Sequence, residues 1–160
     1  GGSEFKWAKS IEERNLLWKA RHDVYYSVKA LGTNMKVYST DICVPISKLV
    51  ECISWAEKEV KDKNLIAPMV GHVGDGNFHS IILYDPNDIE KQKLIKQYSD
   101  NLIEKALELE GTITGEHGIG LQKKHYLLKE HPDNLPVMKS IKRGLDPNNI
   151  MNPGKVFDLN

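Results

Sequence analysis

The sequence predicts an α+β domain built on a largely antiparallel sheet. Three observations carry that expectation. Helical and strand-type hydrophobic periods alternate along the chain, a Gly-Asp-Gly-Asn segment at 74–77 joins two neighbouring strand candidates, and helices outnumber strands. The length of 160 residues suits one domain.

Ile11 to Leu31 reads as a helix: Leu17, Val24, Val28 and Leu31 recur at helical spacing, Ala20 and Tyr25 widen the stripe, and Gly32 ends it. Lys36 to Val44 is rich in β-branched and aromatic residues and stops at Pro45, which marks a strand. Ser47 is placed to cap a second helix reaching about Lys61, with Leu49, Val50, Ile53, Ala56 and Val60 inward. Leu65–Gly71 and Phe78–Tyr84 form the predicted hairpin. Asn87 and Glu90 have capping-box spacing ahead of a helix whose inner face carries Ile95, Tyr98, Leu102, Ala106 and Leu109. A glycine-rich stretch at 111–120 leads to a polar helical stretch, Leu121–Lys129. The tail is then punctuated by Pro132, Pro136, Pro147 and Pro153.

Composition removes several function classes. Lys plus Arg and Asp plus Glu both number 22, so the net charge is zero. A nucleic-acid or anionic-membrane binder needs a basic surplus. No apolar run approaches the ~20 residues of a membrane span. Cys43 and Cys52 are too few for a disulfide scaffold and read as buried free thiols. The opening Gly1-Gly2-Ser3-Glu4-Phe5 is neither basic nor apolar, unlike a targeting segment.

Chemistry-bearing residues concentrate in two windows. Seven of the twelve glycines fall within 71–76 and 111–120, and His72, His79 and His117 lie in or beside them. Glycine lets a backbone approach a ligand, while imidazole and carboxylate supply metal ligands or proton carriers. A hairpin bent at Gly74–Gly76 places His72 and His79 on adjoining strands, near its open ends, where two imidazoles can converge on one divalent cation with Glu116 as anionic third ligand. In an extended chain His117 would point away from its neighbour Glu116. The other reading keeps these histidines structural. Neither window is a phosphate loop, since the third glycine of the dinucleotide fingerprint is replaced by His79. Arg21 emerges from an apolar helix face, so its charge needs a partner, either an internal carboxylate such as Asp41 or the carboxylate of a small substrate. His22, His125 and His131 lie among charged residues and read as surface.

Three ordered motifs carry a resemblance: Gly71-His72-x-Gly74-Asp75-Gly76-Asn77-x-His79, Gly115-Glu116-His117-Gly118-Ile119-Gly120 and Asn152-Pro153-Gly154-Lys155. The series resembles FAD-linked oxidases of the vanillyl-alcohol oxidase type, and within them the C-terminal part of D-2-hydroxyacid dehydrogenases. The Tyr38–Ser47 and Trp18–His22 stretches look most like mitochondrial, cytochrome-linked D-lactate dehydrogenases. The similarity covers the whole chain, Gly1–Trp7 included, as expected of a native fragment.

The resemblance implies a ferredoxin-like substrate domain of which this chain is the later part. Residues 1–144 would belong to that cap domain, and 145–160 would return to an FAD-binding domain outside the chain. It further implies that His72, His79 and Glu116 bind a divalent metal (zinc, manganese or iron) and that His117 is the catalytic base. Arg21 would hold the substrate carboxylate, with Tyr25, where close relatives carry Trp, in the pocket wall. Asn77 and Asn152 would lie near the FAD. A 2-hydroxy acid is the implied substrate, an acceptor such as cytochrome c the electron partner and the mitochondrion the location. The chain alone is expected to be inactive, having no pyrophosphate site. Two other classes use the same residues: a metal-dependent hydrolase, and a non-catalytic cap or interaction module with structural histidines.

Overall fold

The structure, a computed structural model, describes residues 7–32 and 34–159; the Gly1–Phe5 opening lies outside them. The elements in order are α1 (Ile11–Lys29), β1 (Lys36–Ser39), β2 (Ile42–Cys43), α2 (Ile46–Asp62), β3 (Met69–His72), β4 (Asn77–Tyr84), α3 (Ile89–Glu108), α4 (Lys124–Glu130) and α5 (Leu135–Leu145). This is an α+β fold around an antiparallel four-stranded sheet in which every strand pairs with β4. β1 and β2 run end to end along one edge of β4, from Lys36↔Tyr84 down to Cys43↔Asn77. β3 takes the opposite edge, with Met69↔Ser80 and His72↔Asn77.

The side-chain alternation of a strand divides the sheet into two unlike faces. Phe78 and Ile82 of β4 join Ile42 and the inner faces of α2 (Leu49, Cys52, Ala56) and α3 (Ile95, Tyr98, Leu102, Ala106) in the main core. On the reverse face Ile81 and Leu83 pack with Val28 of α1, a much smaller cluster. Fully burying a Leu, Ile or Phe side chain contributes about 1.5–3 kcal/mol, so the main core dominates stability.

Several expectations are corrected. The predicted strand over 36–44 is broken at Thr40–Asp41, because the Thr40 hydroxyl accepts the Ser80 N–H and the Asp41 side chain turns inward to a distant loop. α2 is capped at Pro45, whose carbonyl accepts from Lys48 N, and Ser47 lies inside the helix. Val50, expected inward, is exposed. Asp88 caps α3 by accepting from Lys91 N, whereas Asn87 turns back on the Asp85 carboxylate. Of the α1 stripe only Val28 is buried; Leu17, Tyr25 and Leu31 face out because the sheet reaches only the last turns of the helix. α4 starts at Lys124, three residues late. The C-terminal segment after the sheet, expected to be helical or tail-like without given bounds, holds the helix α5: Pro136 sits in its first turn, where a missing N–H costs nothing. Cys52 is buried as expected, while Cys43 is only partly so, its thiol donating to the Asp75 carbonyl.

Candidate functional site

The β3–β4 hairpin turns through a short 3-10 segment, Val73–Asp75, and closes at Gly76 with φ +77°. A Cβ there would stand 1.9 Å from the Val44 carbonyl oxygen, so only glycine fits. His72 ends β3 and pairs with Asn77, two residues before His79, so both histidines project from one face beside the turn, not at the hairpin's open ends. Their ring centroids are 6.2 Å apart.

His79 is 5% exposed. Its Nδ1 lies 3.0 Å from the Thr40 carbonyl, which can only accept, so Nδ1 carries a proton and the ring turns its Nε2 toward the cleft. That Nε2 meets Glu116 Oε1 at 2.9 Å. An imidazole nitrogen and a carboxylate oxygen at that distance either share a proton or jointly face a cation. His72 Nε2 stands 3.6 Å from the same oxygen, and Arg21 Nη2, a donor, lies 3.3 Å from His72 Nε2. Arg21 therefore reaches the cluster and not Asp41, the internal partner considered for it.

Glu116 and His117 come from the 114–118 loop, which is bent, not extended. Both side chains consequently face the same cleft: His117 Nε2 is 3.9 Å from Glu116 Oε1, and its ring stacks on His79 with centroids 5.0 Å apart. The bend is organised by Asp41, 2% exposed, which accepts from Thr114 Oγ1 at 2.6 Å and from the backbone N–H groups of Gly115, Glu116 and His117 at 2.9–3.2 Å. Asn77 Nδ2 adds a bond at 2.9 Å and Lys123 Nζ stands 3.7 Å away. Burial alone would raise the Asp41 carboxyl. The bonds from Thr114, His117 N and Asn77, with the Lys123 charge, outweigh it and hold the group well below the usual carboxylate range. Burial in turn pulls the Lys123 ammonium down against the opposing influence of Asp41. Gly115 allows this approach, since a Cβ there would fall 2.0 Å from Asn77 Nδ2.

Among the described residues two triads bring possible ligand atoms within 4.8 Å of one another: His72, His79 and Glu116, and Asp41, His79 and His117. The second is disfavoured because the Asp41 oxygens are already occupied by hydrogen bonds and face an ammonium. The first offers two imidazole nitrogens and a half-exposed carboxylate, a donor set that suits a divalent transition metal. A cavity of about 420 Å³ borders His117 and runs along Gly118–Lys123. A larger one, about 680 Å³, lies between α3 and α4; His125 lines it, and His72, His79 and His117 do not.

The remaining expected site residues are placed differently. Asn77, expected beside a cofactor, is 5% exposed, and its amide donates to Asp41 and to the Ile42 carbonyl, so it supports the loop. Tyr25 is exposed on α1 with its ring edge-on to Tyr26. Asn152 is exposed with φ +48° in the tail, which is tied back by Val156 N to the Gly120 carbonyl and by Lys124 to Asp158. Asp41, Thr40 and Lys123 were not recognised as site supports. The available signal was an acidic residue in the middle of a strand-like run, a position where a charge needs a tertiary reason.

The family model for the C-terminal domain of FAD-linked oxidases matches residues 1–156, and the chain belongs to that family. A probable mitochondrial D-lactate dehydrogenase of Danio rerio is 49% identical over 160 residues, which cover 99% of this chain and 32% of the relative. A mitochondrial D-lactate dehydrogenase (cytochrome) of Arabidopsis thaliana is 41% identical over 157 residues, 98% of this chain and 28% of the relative. A glycolate oxidase subunit of Bacillus subtilis is 33% identical over 151 residues, 94% and 32% of the two chains. The chain thus spans about a third of the length of the curated relatives it matches. Among solved structures, 4-ethylphenol oxidase from Gulosibacter chungangensis superposes with a TM-score of 0.61 at 19% identity, over 94% of this chain and 31% of that one, which shows the shared fold. Among the described residues no helix is long and apolar enough to cross a membrane.

Proposed function

We propose that this chain is the later part of the substrate domain of a flavin-dependent dehydrogenase that oxidises D-lactate or a related D-2-hydroxy acid to the 2-oxo acid. The observation that carries the reading is the convergence of His72, His79, Glu116, His117 and Arg21 on one cleft. The names of the relatives support the substrate class and a mitochondrial location, with a cytochrome-type electron acceptor. The flavin would be held chiefly by the part of the protein outside this chain. Asn152, exposed on the tail, would face it if residues 145–160 lead back to that domain.

His72, His79 and Glu116 would hold the divalent cation, whose charge makes a nearby hydroxyl proton easier to remove. The chemistry that a bound FAD would supply is acceptance of a hydride. Arg21, whose guanidinium lies at the edge of the cluster, grips the substrate carboxylate and fixes which face of the α-carbon is presented. His117 accepts the hydroxyl proton: its ring is half exposed, so the proton can pass on to water, and stacking on His79 holds its plane. His79 turns its Nε2 to the cluster because the Thr40 carbonyl accepts from its Nδ1–H.

The test is His117→Ala in the full-length flavoenzyme. The expected kcat loss is about 10²–10⁴-fold with flavin absorbance unchanged. An unchanged kcat would remove His117 from the base role.

A further inference from the structure

We propose that Asp41 is the positioning residue of this site, and that the Thr40–Asp41 break in the edge strand sets the metal-facing and proton-accepting groups together. This inference rests on the dehydrogenase reading above.

Three successive backbone N–H groups, those of Gly115, Glu116 and His117, converge on the Asp41 carboxylate at 2.9–3.2 Å. Such a concave set of amides ordinarily binds an external anion. Here the anion is part of the chain, and it wraps the loop so that Glu116 and His117, adjacent in sequence, present both side chains to one cleft. Thr114 Oγ1 locks the arrangement from the other end, donating to Asp41 at 2.6 Å while accepting from Gly118 N at 2.9 Å. The preceding residue acts on the other half of the site: the Thr40 carbonyl fixes His79 Nδ1–H, and Thr40 Oγ1 pins Ser80 N of the strand that carries His79. Two consecutive residues thus orient His79, Glu116 and His117. The ladder residues to either side, Ser39 and Ile42, pair with β4 in the ordinary way. Lys123 fastens the same point, donating to the Asp41 and Ile113 carbonyls at 2.6 and 2.7 Å.

A purely structural role predicts something different. The apolar core of α2, α3 and β4 packs without Asp41, so holding the fold is not the task these bonds perform best. Arg21 is carried by α1 and makes its contact with His72 rather than with Asp41, so substrate affinity and turnover should separate when Asp41 is altered.

The experiment is Asp41→Asn in the full-length flavoenzyme, compared with the unaltered enzyme. Expected are a fall in kcat for a D-2-hydroxy acid of about 10–100-fold and a similar weakening of Mn²⁺ binding, titrated into metal-stripped protein with Mn²⁺ alone. KM should stay within about threefold and flavin content should not change, because Arg21 is carried by α1 and the flavin would be held chiefly outside this chain. Unchanged kcat and unchanged Mn²⁺ affinity would overturn the inference, and so would losses matched by equal losses of flavin and thermal stability. Should Asp41→Asn not fold, Thr114→Val removes a single donor to the same carboxylate. It should lower kcat several-fold with KM unmoved, and a wild-type kcat would overturn the inference. Unaltered enzyme that neither oxidises a 2-hydroxy acid nor binds Mn²⁺ would instead end the reading on which it rests.

Discussion

The two faces of β4 make the most instructive contrast in the molecule. Phe78, Ser80 and Ile82 point into a layer closed by α2 and α3, and none is more than 1% exposed. The polar member is satisfied internally: Ser80 Oγ lies 2.6 Å from the Tyr98 hydroxyl, whose pKa burial pushes up to about 12. Asn77, His79, Ile81 and Leu83 point the other way. There α1 covers Ile81 and Leu83 with Val28 and then departs, leaving His79 at the floor of a cleft that His72, Glu116 and Arg21 enter. A strand with period two can be core on one side and chemistry on the other. Rigidity comes from the packed face, and the open face gives access.

That contrast predicts where substitutions register. Phe78→Ala, on the closed face, should cost about 3–5 kcal/mol and shift the denaturant midpoint strongly. The 41–44 and 77–80 pairing carries the site, so activity in the full-length enzyme should fall with it. Ile81→Val, on the thin face, should cost about 0.5–1.5 kcal/mol at most. Equal losses from the two, after allowing for the volume removed, would show that the faces are packed alike. The smallest effect lies outside both. Asp146 accepts from Ile150 N and Met151 N and is paired with Lys142. That pairing first, then the backbone bonds, brings its pKa down to about 2 against the opposing effect of burial. A depressed carboxyl pKa means the clamp contributes fully above the unfolded value near ~4 and is lost as pH falls toward 2. Amide-exchange protection at Ile150 and Met151 should drop across that window while β4 stays protected. Simultaneous loss in β4 would tie the tail to the core.

Legibility followed the range of the forces involved. The inner face of α3 was legible because Ile95, Tyr98, Leu102 and Ala106 repeat one period against one buried layer, whereas its cap falls at Asp88 and not at Asn87. The β3–β4 hairpin was legible from its turn chemistry. The α1 stripe misled because its apolar residues exceed what the sheet of this chain covers. The bounds of α5 were obscured by the prolines of the tail, of which Pro136, at the helix start, is harmless.

Pattern and motif, both written in local order, determined the class of fold, the helix and strand types, and the residues able to hold a cation or move a proton. Their convergence was decided only when residues 41 and 116 met across the fold. No local rule brings a carboxylate to three amides lying more than seventy positions away. That contact is selected by the sheet that carries Asp41 and the packed helix that delivers the loop, and it turned Asp41 from a presumed partner of Arg21 into the anchor of Glu116 and His117.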